Sequence, residues 1–364
     1  MEGRTDRTTA LVAFLLLLYG LIMVYSASAP FSLRHFQSGT HLFLKQLAAA
    51  GIGIVLLVGV SRLDYHRICH LGDILLLGSL LLTAMTVLPL PGVSSGRWLH
   101  LGPFDFQPTE LLKFSLIVYL AGTIERKRDC ITSFTNGVLP FVIVLVVLGG
   151  IVMNQPDFGM TLLLGALTLG MLFLGGARIA HLGLLVAGSL PFIYLAVKLA
   201  PYRLGRIISF INPQAYSTSS GYQILQSMVA IGSGGLVGRG LGASRAKLFY
   251  LPQAHNDFIF SITAEELGLL GAVVLLGLFA VFVWRAFAIA KRAPDRLGSL
   301  LAMGIGFTLC LQTLLNLGVA LGVLPVTGLT LPFISNGGSS LLITLAMVGV
   351  LLNISKQGGK QCEY

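Results

Sequence analysis

The chain of 364 residues is too apolar for a water-soluble protein, since 55% of its residues are hydrophobic and only 10% are charged. Soluble proteins carry about 25% charged residues, and the mean hydropathy of +0.86 indicates that lipid is the solvent. The net charge of +10 needs no nucleic acid partner, because cytoplasmic basic residues of membrane proteins face anionic lipid. The composition therefore predicts an integral membrane protein.

A helix needs roughly 20 apolar residues to cross a hydrocarbon core of ~30 Å. Ten stretches of the sequence meet this condition, namely residues 8–28, 42–60, 71–90, 109–124, 134–153, 160–174, 179–199, 258–284, 297–321 and 338–354. They predict an all-α polytopic membrane protein of about ten transmembrane helices, with residues 1–364 as a single membrane domain.

The first stretch allows a second interpretation. Arg4 and Arg7 precede an apolar run, and Ala27-Ser28-Ala29 follow it, as in a secretory signal peptide with its cleavage site. The apolar run is long for a signal peptide, and the other apolar stretches follow it. We therefore favour a membrane-spanning helix that stays in the protein.

The basic residues predict the orientation, because Lys and Arg concentrate in cytoplasmic loops. With both termini in the cytoplasm, more than half of the 24 Lys and Arg residues lie on that side. The long loop between helices 7 and 8, residues 200–257, is then extracytoplasmic. It nevertheless contains a basic cluster of Arg203, Arg206, Arg239, Arg245 and Lys247. This cluster opposes the usual bias, so we expect it to have a function.

Two shorter outer segments also carry polar residues. The segment 95–110 is rich in turn-forming residues and leads into a helix with Glu110 and Lys113 at i and i+3, on one face. These two side chains either form a structural ion pair or contact a substrate, and the sequence leaves both open. Asp157, in the turn 154–159, is interpreted as the cap of the following helix.

The long loop contains an amphipathic stretch at 220–227 and a glycine-rich run at 232–242. The run lacks the Gly-Lys-Ser/Thr ending of a P-loop, although amides freed by its glycines could cradle a phosphate beside the basic cluster. Asp257 follows at the mouth of the eighth helix, with Glu265 two turns deeper. Ionisable residues at such positions in a membrane protein point to function.

Five segments, in this order along the chain, resemble the SEDS family (shape, elongation, division and sporulation). They are Gly96-Arg97-Trp98 to Lys113, Gln155-Pro156-Asp157-Phe158-Gly159, Gly221-Tyr222-Gln223 to Gly242, His255-Asn256-Asp257 to Gly268, and Leu324-Pro325-Val326 to Ser340. Val24 to Ser28 and Lys247 to Pro252 are more similar to the division branch, FtsW and SpoVE. The chain departs from the usual family pattern at Thr109, Met160, Asn256 and Asn336.

The resemblance implies a peptidoglycan glycosyltransferase that polymerises lipid II at the outer face of the bacterial cytoplasmic membrane, for a division or sporulation septum. It places the catalytic aspartate at Asp257, which suits a general base for the acceptor hydroxyl. The substrate-binding residues expected in the motifs are Arg97, Trp98, Glu110, Lys113, Arg239, Lys247, His255, Glu265 and Ser335.

The resemblance also implies a class B penicillin-binding protein transpeptidase as partner, together with other divisome proteins and membrane lipids. The metal requirement is left open, and a divalent cation such as Mg²⁺ or Mn²⁺ would suit the pyrophosphate of lipid II. Three alternatives also stay open: a lipid II flippase, an elongation-type polymerase like RodA, and a scaffold for division proteins without chemistry of its own.

Overall fold

The structure is a computed structural model that describes residues 5–88, 93–94, 96–102, 104–155, 157–216 and 220–358. Within these residues the chain forms thirteen α-helices and a small sheet. The helices are α1 (Arg7–Phe36), α2 (His41–Arg62), α3 (Tyr65–His70), α4 (Gly72–Met85), α5 (Pro108–Arg126), α6 (Leu139–Asn154), α7 (Phe158–Leu174), α8 (Ile179–Lys198), α9 (Pro201–Ile211), α10 (Ser220–Ser233), α11 (Ile259–Lys291), α12 (Arg296–Ala320) and α13 (Gly338–Gly358).

Each of the ten predicted stretches coincides with a helix, which confirms the all-α membrane fold. Among the described residues, seven helices are long and apolar enough to cross a membrane, counting α6 with the π-helical turn Phe134–Val138 that precedes it. The helices α4 and α7 are apolar but shorter, and α5 carries the charged residues Glu110 and Lys113. The number of crossings therefore stays a prediction.

Several boundaries differ from those predicted. The third stretch, 71–90, was predicted too long, because α4 ends at Met85. The helix α1 continues to Phe36, beyond the signal-peptide-like site, and Ala27 and Ser28 are buried in the bundle. The helix α11 continues to Lys291 and has a break at Gly268, whose φ is +65°.

The glycine-rich run 232–242 packs against α11 at the break at Gly268. Leu269 and Leu270 N–H groups donate to Gly235 and Leu236 oxygens, and Arg239 N–H donates to Glu265 O at 3.0 Å. A Cβ at Gly268 would collide with this run, so glycine is required for the close approach. The amides of this run that donate to α11 are already hydrogen-bonded, so they do not form the phosphate-binding site that the sequence suggested.

Polar contacts tie the helices together at two opposite ends of the bundle. At one end, which we term the Asp257 end, Ser335 Oγ donates to Asn256 O at 2.6 Å and Gln46 Nε2 donates to Ser335 O at 3.2 Å. At the opposite end, Asn353 Oδ1 accepts from Tyr65 N at 3.1 Å. Between them lies one continuous hydrophobic core of Leu, Ile, Val, Ala, Met and Phe side chains.

The segment before α5, for which the sequence indicated turn-forming residues and no regular structure was predicted, forms three short antiparallel strands within the described residues. These are β1 (Val93–Ser94), β2 (Trp98–Leu101) and β3 (Phe104–Phe106), in the order β1-β2-β3. Ser339 Oγ, at the start of α13, donates to Asp105 O at 3.0 Å and accepts from Gln107 N at 3.0 Å. The hairpin is therefore fixed to the Asp257 end.

The long segment 200–257 contains structure of its own. The amphipathic stretch predicted at 220–227 lies in α10, which packs on α11 and α9. The helix α9, which the sequence analysis did not single out, carries Arg203 and Arg206. The rest of the segment folds back along α1 and α11 toward the irregular turn Ala246–Tyr250.

Candidate active site

Asp257 lies two residues before α11, in a turn held from two sides. Its main-chain oxygen accepts a hydrogen bond from Asn316 Nδ2 at 2.9 Å, and the same nitrogen donates to Leu329 O at 2.8 Å. Gly328 faces the carboxylate, since a Cβ there would lie 3.9 Å from Asp257 Oδ2. The φ of Gly328 is +78°, which strongly favours glycine. The turn that carries the carboxylate is thus fixed between α12 and the segment that follows it.

The surroundings of Asp257 give its carboxyl group an unusual proton affinity. The side chain is partly exposed, yet burial raises its pKa to about 6. Arg206 and Arg97 lower this pKa and Asp157 raises it, so burial is the dominant cause. The carboxylates of Asp257 and Asp157 and the guanidinium groups of Arg97 and Arg206 therefore lie within electrostatic range of one another. We use the term recess for the surroundings of these four side chains.

Asp157 serves both a helix and the recess. Its carboxylate accepts a hydrogen bond from Met160 N at 3.1 Å, which confirms the predicted cap of α7. Arg97 Nη1 lies 3.9 Å from Asp157 Oδ2, and Arg97 Nε donates to Gln155 O at 2.8 Å. Burial raises the pKa of Asp157, whereas Arg97 lowers it.

Arg206 is the member of the predicted outer basic cluster that acts on Asp257 electrostatically. It lies on α9, and its Nη1 donates to Val326 O at 3.2 Å, close in sequence to Gly328. Arg203, three residues earlier on α9, instead donates to the main-chain oxygens of Ala196 and Met153. The amphipathic helix α9 is therefore what brings a cation to the recess.

Glu110 and Lys113 form an i, i+3 ion pair, one of the two alternatives that the sequence left open, with Lys113 Nζ 2.5 Å from Glu110 Oε2. Both are buried, and Lys113 is fully buried. Lys113 Nζ also donates to Gln312 Oε1 at 2.8 Å, and Gln312 Nε2 donates to Thr330 O at 2.9 Å. This chain of bonds links α5 to α12 and to the segment that faces Asp257.

Glu265 and its neighbour Glu266 form a second buried polar cluster, deeper along α11. Glu265 accepts from Ser244 Oγ at 2.5 Å and from Arg245 N at 2.9 Å, and Arg239 Nη1 lies 3.7 Å from it. Lys247 Nζ donates to Glu266 Oε1 at 2.7 Å. These contacts clamp the segment 239–247 to α11.

The same cluster reaches α1. Ser26 Oγ donates to Glu266 at 2.6 Å, and Lys247 Nζ lies 3.0 Å from Ser26 Oγ. Lys247 is buried, whereas Arg245 is exposed. The structure thus separates Lys247, which is buried and paired with Glu266, from Arg245, which is exposed.

His255 and Ser335 support the turn that carries Asp257. His255 is buried, packs its ring 4.7 Å from that of Phe31, and its main-chain oxygen accepts from Asn336 N at 3.0 Å. Burial lowers the pKa of His255 to about 4, so its imidazole is neutral at pH 7. Ser335 Oγ accepts from Leu331 N at 2.8 Å and donates to Asn256 O.

Trp98, on β2, lines a separate cavity beside this turn. Asn316 and Gln312 were missed from the sequence, although two amide side chains at i and i+4 inside an apolar helix are a recognisable signal.

Among the described residues no group of three or more His, Cys, Asp or Glu side chains could hold a metal ion. The side chains described therefore offer no preformed metal site, and we assign no step to a divalent cation.

Comparison with known proteins agrees with this geometry. Residues 6–360 match the FtsW, RodA and SpoVE family, described as cell cycle proteins. The chain is 41% identical over 357 residues to the probable peptidoglycan glycosyltransferase FtsW of Trichlorobacter lovleyi, covering 96% of this chain and 93% of that one. It is 42% identical to stage V sporulation protein E of Bacillus subtilis, covering 96% and 97%.

Solved structures show the same fold. A chain from a peptidoglycan synthase complex superposes with a TM-score of 0.79 at 30% identity, over 96% of this chain and 97% of that one. RodA of Thermus thermophilus superposes with a TM-score of 0.71 at 30% identity, over 96% of each. The chain therefore belongs to the FtsW, RodA and SpoVE family of membrane proteins.

Proposed function

We propose that this protein is a peptidoglycan glycosyltransferase that polymerises lipid II into glycan strands at the outer face of the bacterial cytoplasmic membrane. The observation that carries the proposal is Asp257, a carboxylate of raised pKa in a recess that also holds Arg97 and Arg206. The relatives named as peptidoglycan glycosyltransferases and as a sporulation protein support it. They also favour a role at a division or sporulation septum over elongation.

In this reaction the 4-hydroxyl oxygen of the acceptor sugar attacks the anomeric carbon of the donor. The bond from that carbon to the pyrophosphate oxygen breaks, and the lipid pyrophosphate leaves. Asp257 is the general base that takes up the hydroxyl proton. A pKa of about 6 keeps its carboxylate mostly ionised at pH 7 while strengthening its affinity for the proton. Arg97 and Arg206 stabilise the negative charge that develops on the leaving group.

The other predicted site residues divide into two roles in this proposal. Glu110, Lys113, His255 and Ser335 hold the segments around Asp257 through the bonds described above. Arg239, Lys247 and Glu265 hold the segment 239–247 against α11. Both sets position the site, and the exposed Arg245 remains available for the lipid pyrophosphate.

We propose that the Asp257 end faces the cell exterior and that both termini face the cytoplasm. The charged residues of α5 and α11 support an enzyme over a flippase. Glu110, Lys113, Glu265 and Glu266 lie within the first eight residues of their helices at the Asp257 end. Arg126 and Arg285 lie toward the other end. The central turns of these two helices are apolar, whereas a flippase would be expected to carry charges along a transmembrane path.

We propose a class B penicillin-binding protein as the transpeptidase partner and other divisome proteins as further partners. The similarity to a chain from a peptidoglycan synthase complex that coordinates polymerization and crosslinking supports the first of these. The transpeptidase would crosslink the strands that this chain polymerises.

The test is to incubate the purified protein, alone and with its transpeptidase partner, with lipid II and to separate the products on a gel. We expect polymer from the wild-type protein and almost none from Asp257→Asn. A parallel assay in liposomes would measure lipid II transfer between leaflets. Transfer without polymer under all conditions would reject the proposal in favour of a flippase, and neither activity would favour a scaffold.

A further inference from the structure

A cavity with a volume of about 340 Å³ and several charged and amide side chains in its lining opens beside the turn that carries Asp257. It lies between the end of α1, the start of α2, the hairpin β2–β3 and the start of α13. Its polar lining includes Lys45, Gln46, Trp98, His100, Asp105 and Asn256. The mechanism proposed above gives its charged groups no role, although its volume falls in the range of small-ligand sites.

The hairpin presents three of these side chains together. Trp98 and His100 are two residues apart on β2 and therefore point to the same face of the strand. Asp105 is the direct cross-strand partner of His100, and His100 Nδ1 lies 2.5 Å from Asp105 Oδ1. Lys45 Nζ approaches the same carboxylate from α2, 3.7 Å from Asp105 Oδ2. An aromatic ring thus lies beside a hydrogen-bonded polar group.

The charges in this cavity balance each other, because Lys45 is paired with Asp105. A site for pyrophosphate would need an excess of cations, so the chemistry favours an uncharged ligand that is rich in hydroxyl and amide groups. The flat, partly polar indole of Trp98 suits the C–H face of a sugar ring. The carboxylate of Asp105 and the imidazole of His100, both about half exposed, supply the polar groups that such a ligand would meet.

The cavity is rigidly coupled to the reaction site. Asn256 lines it and directly precedes Asp257, and Ser335 Oγ fixes the Asn256 carbonyl at 2.6 Å. Gln46 bonds Ser335 O and Gly337 N, at 3.2 Å each, so α2 fixes the same wall. A ligand in the cavity therefore lies on the turn that holds the proposed base.

We propose that this cavity is a saccharide subsite that binds a sugar of the glycan adjacent to the sugar that reacts at Asp257. The inference rests on the proposed function, since it assigns part of the same substrate. Trp98 packs against the sugar ring, and Asp105 and His100 bond its hydroxyl and N-acetyl groups. Holding the strand here keeps it on the enzyme between additions, so the subsite determines strand length.

Direct binding can be measured through Trp98, because the chain has only 2 Trp residues. The other, Trp284, is exposed on α11, so Trp284→Phe leaves Trp98 as the sole indole reporter. The probe is a lipid-free tetrasaccharide of alternating N-acetylglucosamine and N-acetylmuramic acid. We expect a saturable change in Trp98 emission, with an affinity about tenfold weaker when Asp105→Ala is added, as for one lost hydrogen bond.

The matched control is Asp73→Ala, which removes an exposed carboxylate that is also ion-paired, to Arg126, at the opposite end. It should leave the tetrasaccharide affinity unchanged. Absence of a saturable signal, or equal affinity in the Asp105→Ala and control proteins, would overturn the inference.

A second measurement separates this inference from the proposed function. With lipid II as substrate, Asp105→Ala should yield shorter strands than the wild-type and Asp73→Ala proteins. If the wild-type protein makes no polymer, the proposed function fails even where the tetrasaccharide binds. If it makes polymer, and Asp105→Ala changes neither strand length nor tetrasaccharide affinity, the subsite alone is rejected.

Discussion

The side-chain amide of Asn316 donates to the main-chain oxygen of Asp257 at 2.9 Å and, from the same nitrogen, to Leu329 O at 2.8 Å. Asn316 is buried in α12, so one side chain fixes both the turn of the proposed base and the segment that faces its carboxylate. We regard Asn316 as a positioning residue, since it contacts main-chain atoms and not the reacting groups.

The first prediction concerns this bond. Asn316→Ala leaves two buried carbonyl groups without a donor and should lower the free energy of unfolding by ~1–3 kcal/mol. It should also lower kcat, because the carboxylate loses its fixed position, while the acidic limb of the pH profile stays where it is. Polymerisation rates across pH, together with thermal unfolding in detergent, check both.

Asn353→Ala is the matched control, because Asn353 is a buried asparagine that bridges Tyr65 N and Ser61 O at the opposite end. It should cost similar stability and leave kcat of the folded protein near the wild-type value. An equal fall in kcat for both variants would show that Asn316 matters only for folding.

The second prediction is a pH dependence. Asp257 must be ionised to accept a proton, and burial raises its pKa to about 6. The polymerisation rate should therefore be close to its maximum at neutral pH and should fall as the pH drops through about 6. Arg206 lowers this pKa, so Arg206→Gln should move the acidic limb to higher pH. A rate that stays level well below pH 6 would argue against this base.

The helical framework followed from the sequence because membrane helices need long apolar runs, and these are visible without tertiary information. The proximity of Glu110 and Lys113 was also predictable, because residues at i and i+3 are neighbours on one helix. The hairpin at Trp98 was missed because its strands are short and the segment around them is rich in turn-forming residues. The bond from Asn316 to Asp257 joins distant segments, and a single sequence does not indicate such pairings.

The separation of the basic cluster also depended on tertiary structure. Lys247 and Arg245 are equivalent in sequence terms, since both are basic and both lie in the long segment 200–257. Only the fold places Glu266 against the first and leaves the second exposed. Burial and pairing decide what a charge does, and both are set by elements far apart in the chain.

The third prediction tests this separation. Lys247→Met strands the buried Glu266 and should destabilise the fold by about 3–5 kcal/mol, as for a broken buried pair. Arg245→Gln should leave the unfolding temperature unchanged and raise the KM for lipid II. The variant Lys127→Gln, just after the far end of α5, is the control and should alter neither quantity. A raised KM in the Lys127 control as well would remove the special role of Arg245.

The fourth prediction concerns Glu110 and Lys113. Either Glu110→Ala or Lys113→Ala leaves its partner charged and buried, which should cost about 3–5 kcal/mol and abolish activity. The double variant Glu110→Gln, Lys113→Met removes both charges and should recover folding. It should not recover polymerisation, because Gln312 loses the Lys113 bond that links it to α5. Full activity in the double variant would make the pair purely structural.

The final prediction is that Asp257→Asn abolishes catalysis without unfolding the protein. Asn retains the size of Asp but cannot take up a proton, so activity should fall by ~10²–10⁴, the range for a lost acid-base group. The bond from Asn316 involves the main-chain oxygen of residue 257 and survives the change. Lipid II binding and thermal unfolding should therefore stay near wild-type values, and polymerisation assays with labelled lipid II measure the loss.

Asp157→Asn is the matched comparison, because Asp157 is the other carboxylate that influences the pKa of Asp257. Asn is also a good helix cap, so α7 should keep its start, and the loss of activity should be at most about tenfold. Removing this negative charge also removes one cause of the raised pKa of Asp257, so the acidic limb should move to lower pH. If Asp157→Asn were the inactive variant and Asp257→Asn the active one, the base would be Asp157. Near-normal polymer from both variants would remove the carboxylates of this recess from the chemistry.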